Sequence, residues 1–121
     1  MNTYTLNNQC DIYTRVVKLT EAIMNLSENI PVNDFLQLRI RLRKSANMVS
    51  ARIEDCLSND NKLDIIRSII KINGSIDECC ETLQLIHSLK YANTKELINE
   101  LFELTKLFNE EFRTDSLETI N

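Results

Sequence analysis

One glycine and one proline in 121 residues leave almost no material for tight turns. Hairpin turns of the primed types draw on residues that tolerate positive φ, glycine above all, and a phosphate-cradling loop needs several glycines close together. A hairpin-rich β fold and a glycine-rich nucleotide loop are both excluded. Tryptophan is missing, and none of the four Phe and three Tyr is interleaved with the densest basic run, so base stacking has no platform there. Histidine occurs once, as His87. Carboxylate-rich metal sites in helical bundles use Glu-x-x-His pairs on facing helices, and the sequence contains no such pair. A Ser or Cys nucleophile is equally hard to build around one histidine. No apolar run approaches the ~20 residues needed to cross a bilayer. Residues 1–8 are polar, without the basic and apolar regions of an export signal. These absences predict a cytoplasmic protein that is not an enzyme, binds no cofactor or metal, and has no membrane partner.

Four cysteines are present, at Cys10, Cys56, Cys79 and Cys80. They stand at apolar helical positions, and the adjacent pair would point about 100° apart on a helix. Reduced thiols buried as small hydrophobes are expected rather than disulfides or zinc ligands.

The chain is 43% hydrophobic with a net charge of -4. That is enough apolar material for one domain with its own core, and too acidic for a global attraction to nucleic acid. Any phosphate contact must be local.

The longest unbroken helical pattern runs from 34 to 57. Phe35, Leu38, Leu42, Ala46, Val49, Ile53 and Cys56 recur at the spacing of a core-facing stripe. Leu36, Ile40 and Ala51, with Asn47 among them, form a shorter second stripe that reads either as ordinary apolar surface or as a subunit interface. Arg39 and Arg43 fall on one flank, Arg41 and Arg52 on the other, with Lys44 behind.

Before this segment, Ile12, Val16, Leu19, Ile23 and Leu26 predict a first helix over about 10–27, with Asn7 or Asn8 as N-cap. The link through Pro31 is short, and Asn33 or Asp34 is expected to cap the second helix. Ser58 to Asn61 favours a turn and a cap. A third helix is predicted over about 61–90, with Ile66, Ile69, Asn73, Ile76, Cys80, Leu83 and His87 in one row and Ile65, Ile72, Cys79 and Ile86 beside it. Asn73 and His87 interrupt that seam, as register-fixing polar residues do. Asn93 with Glu96 reads as a capping box opening a fourth helix over about 94–113, whose inner side is Leu97, Leu101, Leu104, Phe108 and Phe112. Short flexible tails are expected at both ends. The fold class is therefore all-α, a single antiparallel up-down-up-down four-helix bundle.

At this point the chain resembles a known bacterial family. The helix order, the basic start of the second helix and the segment Gly74-Ser75-Ile76-Asp77-Glu78 in the third are similar to the four helix bundle proteins encoded in intervening sequences of 23S ribosomal RNA genes, the ribosomal S23-type family. Arg43-Lys44 match its basic pair, Ala46 a small position, Ile53 an apolar one and Asp55 an acid. Ser50, Ala51, Arg52 and Cys56 depart from it, standing where the family tends to have Pro, Ser, Asn and Gly. The fold is also similar to that of the accessory variability determinant protein of diversity-generating retroelements. The resemblance implies a homo-oligomer, typically a pentameric ring, with a role at RNA or DNA.

Two functional readings follow. In the first, an oligomeric accessory factor contacts phosphates through Arg39, Arg41, Arg43, Lys44, Arg52, Arg67 and Lys71, against the alternative that these form a solvated or salt-bridged face. In the second, a scaffolding oligomer binds a protein partner. Self-association would use Leu36, Ile40, Ala51, Ile65 and Ile72.

Overall fold

The computed structural model describes the backbone of residues 3–113 and the side chains of residues 11–111. Within that span there are four α-helices and no strand. Helix α1 is Thr3–Ser27, α2 is Leu38–Leu57, α3 is Lys62–Ser88 and α4 is Lys95–Phe108. A π-helical turn, Asn109–Arg113, continues α4. Contacts run from α1 to α2, α2 to α3, α3 to α4 and α4 back to α1, so each helix has two neighbours.

The periodic stripes become the core. Ile12, Val16 and Ile23 of α1 meet Leu38, Leu42, Ala46, Val49, Ile53 and Cys56 of α2 in one buried cluster. Helix α3 adds Ile69, Ile72, Ile76, Cys79, Cys80, Leu83 and Ile86, and α4 adds Leu101, Leu104 and Phe108. Full burial of one such aliphatic or aromatic side chain contributes about 1.5–3 kcal/mol.

Four boundaries differ from expectation. Helix α1 starts at Thr3, so Asn7 and Asn8 lie inside it and neither is its cap; with no glycine or proline from 3 to 27, nothing in the chain stops the helix there. Helix α2 starts four residues later than its apolar pattern suggests. The Asp34 side chain accepts hydrogen bonds from the backbone N–H groups of Leu36 and Leu38, at 3.0 and 3.4 Å, and Gln37 adopts φ 54. This local bonding competes with the helix and wins. Phe35, expected in the core stripe, is consequently 95% exposed.

The third boundary is the start of α4. The Asn93 side chain accepts the N–H of Lys95 at 3.2 Å, while Thr94 is the buried N-cap residue and donates its hydroxyl to the Leu83 carbonyl at 2.7 Å. The expected capping box is replaced by a tether between α4's start and α3. The fourth is the end of α3, at Ser88 rather than Lys90. There Lys90 adopts φ 64, its N–H bonds to the His87 carbonyl, and the Tyr91 N–H bonds to the Ile86 carbonyl. That pair of bonds is a Schellman motif, a site where glycine is the usual residue. Asn61 caps α3 as expected of its turn, accepting the Asp64 N–H at 3.2 Å. The expected positions of Cys10, Phe112 and the C-terminal tail lie outside the described side chains and residues.

Candidate functional site

Helix α2 places its basic residues on two flanks, and the flanks face different helices. Arg39 and Arg43 face the end of α1. Arg39 Nε donates to the Ser27 carbonyl at 3.0 Å and its Nη2 reaches Glu28 Oε2 at 3.0 Å. Arg43 Nε donates to Ser27 Oγ at 2.7 Å and its Nη2 to Glu28 Oε1 at 2.8 Å. One carboxylate is thus held by two guanidinium groups, and the Ser27 carbonyl at the end of α1, which also accepts the Ile30 N–H at 3.1 Å, gains a charged donor.

Arg41 and Arg52 face α3. Arg52 donates to the Lys71 carbonyl at 3.0 Å and to the hydroxyl of buried Ser75. Arg41 borders a shallow hollow with Glu81, Gln84, Leu85 and Ser88. Arg67 makes an exposed ion pair with Asp64 at 3.7 Å on its own helix. Lys44 and Lys71 are exposed, and no ion pair is formed by Arg41, Lys44 or Lys71 among the described residues. The seven basic residues singled out in the sequence therefore do not form one patch. Arg39, Arg43 and Arg52 hold helices together, and Arg41, Lys44 and Lys71 are left facing solvent.

The five residues expected at a self-association surface divide as well. Leu36, Ile40 and Ala51 are exposed, with Ile40 at 63%. Ile72 is fully buried in its own core and Ile65 packs against that core. The heptad-spaced row of α3 points inward, so Ile72 is unreachable by a second subunit; this corrects the expectation. Sequence periodicity missed the exposed Val32 in the α1–α2 link and misplaced Phe35, which the late start of α2 leaves outside the core stripe. Together with Leu36 and Ile40 they make the densest run of exposed large apolar side chains among the described residues, at the α1–α2 link. It also missed Leu63, Ile70 and Leu85 on the outer face of α3.

The remaining chemistry-bearing groups are engaged or buried. His87 Nδ1 accepts the Thr94 N–H at 3.4 Å, which closes the α3–α4 link. The thiols of Cys56, Cys79 and Cys80 are unpaired and buried. Burial pushes Cys56 up to about 11 and Cys80 up to about 12, and raises Cys79 too, so none is a ready nucleophile at neutral pH. Among the described residues no cluster of His, Cys, Asp and Glu is arranged to hold a metal ion, and no helix is long and apolar enough to cross a membrane. A second hollow, between α1 and α4, is lined by Arg15, Lys18, Leu19, Ala22, Glu96, Leu97 and Glu100 and bridged by Arg15 and Glu100 at 3.6 Å. No family model, no curated protein and no solved structure matches the chain.

Proposed function

We propose that this chain is a non-catalytic, homo-oligomeric protein-interaction module, built as an up-down-up-down four-helix bundle of the S23-type kind. The topology is supported by paired contacts. Arg39 and Arg43 at the start of α2 meet the end of α1, Arg41 lies beside the last turns of α3, and Arg52 near the end of α2 reaches the middle of α3. The observation that carries the functional reading is the exposed apolar run from Val32 to Ile40, in which Phe35 touches solvent over nearly its whole surface. Apolar surface that a bundle could have turned inward, and did not, marks a site where another protein binds.

The test is capture from native extract with and without nuclease, using wild type and a Phe35→Asp/Ile40→Asp variant. A partner retained after nuclease and lost with the variant supports the reading; a partner lost on nuclease treatment overturns it.

Phosphate contact is the second reading, favoured by Arg41, Lys44 and Lys71, which carry no ion pair among the described residues. Titration of a labelled structured RNA and a duplex DNA at two salt concentrations tests it. Binding that weakens steeply with salt and is lost in Arg41→Glu/Lys44→Glu would support it, and no binding at low salt would discard it.

A further inference from the structure

Among the described residues Gly74 has no close contact to make room for. It lies near the middle of α3, its φ is not positive, and a Cβ built on it meets nothing within 4 Å. Glycine inside a helix is destabilising relative to alanine, and here neither a turn nor a close intrachain contact offsets that. Meanwhile Gln37 and Lys90, the described positions with left-handed backbone, are not glycine. The chain's one glycine is therefore placed on a solvent-facing helical surface, where its only physical effect is a flat spot.

The residues around that spot are arranged symmetrically. Wound at 100° per residue, Leu63, Arg67, Gly74, Glu81 and Leu85 fall within a sector of roughly 40° on the outer side of α3. Leu63 precedes Gly74 by as many residues as Leu85 follows it, and Arg67 precedes it by as many as Glu81 follows it. Lys71 and Glu78 flank the glycine on one margin, with Ile70, 67% exposed, on the other. The half of the face before Gly74 is basic and apolar; the half after it carries Glu78, Glu81 and Leu85, with Arg41 of α2 bordering the same hollow as Glu81 and forming no ion pair with it.

We propose that this face of α3 packs antiparallel against the same face of a second copy, across a two-fold axis beside Gly74. The proposal deepens the homo-oligomer reading above and rests on it. Charge complementarity selects the occupant. A two-fold operator sets Arg67 against Glu81 of the second copy, Lys71 against Glu78 and Leu63 against Leu85, and repeats each pair on the other side, as an isologous interface requires. Glycine at the crossing lets the two backbones approach more closely, because interaxial distance depends on the side chains at the contact. The intrachain Arg67–Asp64 pair is exposed and stretched to 3.7 Å, so Arg67 is free to exchange it.

Sedimentation or light scattering of the full chain across micromolar concentrations at low salt tests the proposal. The expected result is a reversible dimer weakened by salt. Arg67→Glu and Glu81→Arg each reduce association roughly tenfold or more, because one substitution places like charges together twice. The double variant Arg67→Glu/Glu81→Arg recovers association to within about threefold of wild type, since the register itself is unchanged. Gly74→Gln, with helical circular dichroism retained, dissociates the dimer. Failure of the double variant to recover would overturn the α3 register. Self-association lost in Phe35→Asp/Ile40→Asp and indifferent to Arg67→Glu, including assembly into a larger ring, would remove α3 as the interface while leaving the oligomer reading intact. A wild-type chain that stays monomeric throughout would overturn both.

Discussion

The phenolic hydroxyl of Tyr91 donates to Asp34 Oδ1 at 2.6 Å, joining residues 57 apart in sequence. The other oxygen of the same carboxylate accepts the backbone N–H groups of Leu36 and Leu38. One side chain therefore shapes the link between α1 and α2 and ties it to the link between α3 and α4.

This bond makes stability depend on pH at both extremes. The hydrogen bond from Tyr91, helped by the two backbone N–H groups, holds the Asp34 carboxyl below its usual value, and the same bond raises Tyr91 above its own. For a depressed carboxylate, stability is present above the unfolded value near pH 4 and lost as pH falls through the folded one. For a raised phenol it is present below about pH 10 and lost as pH rises further. Tyr91→Phe should flatten both limbs, measured as urea midpoints from pH 3 to pH 11; an unchanged acid limb would show that Asp34 does not depend on Tyr91.

Lys90 carries left-handed backbone with φ 64 at the end of α3. An L-residue with a Cβ is strained there by about 1 kcal/mol, and glycine is not. Lys90→Gly should therefore raise stability by up to about 1 kcal/mol in urea unfolding, despite the greater freedom glycine gives the unfolded chain. A loss of stability would mean that the lysine side chain contributes more than its backbone costs.

Arg39 and Lys44 stand on the same helix, on different sides of it, with different expected effects on stability. Arg39→Ala removes the charged donor to the Ser27 carbonyl, which keeps the Ile30 N–H, and one of the two guanidinium bonds to Glu28, a loss of about 1 kcal/mol. Lys44→Ala removes an exposed ammonium and should stay within about 0.5 kcal/mol of wild type. Equal effects of the two substitutions on thermal unfolding would contradict the division of α2's flanks described above.

The thiols offer a probe of opening. Cys56 and Cys80 are buried and hold their protons to pH values near 11 and 12, and Cys79 is raised as well. A disulfide reagent at pH 8 should modify all three only at the rate of unfolding, with mass-spectrometric mapping to separate them from Cys10. Immediate labelling of Cys79 would show that the α2–α3 seam opens locally.

Much of the fold is legible in the residues. Ile12, Val16, Ile23, Leu42, Val49, Ile53, Leu101 and Leu104 are buried where their spacing places them. Asn61 caps α3 because a short amide beside the first turn needs no distant partner. The candidate surfaces are less so. Phe35 continues the apolar stripe of α2 in sequence and lies outside it in space, because Gln37 takes left-handed backbone before the helix begins and the Asp34 side chain holds the link with its own hydrogen bonds. Ile72 has the spacing of an interface residue and is core, since a wide apolar face does not announce which part of it a neighbouring helix covers.

Local sequence, then, determined the helical class and most of the buried stripe, because helix periodicity and capping act over three or four residues and need no other part of the chain. Only tertiary structure decided the fate of the charges. Whether Arg43 meets Glu28 and Arg52 meets Ser75, while Lys44 forms no ion pair among the described residues, depends on which segments the fold brings close enough for polar side-chain atoms to approach to about 3 Å, and hydrogen bonds weaken steeply as that distance grows.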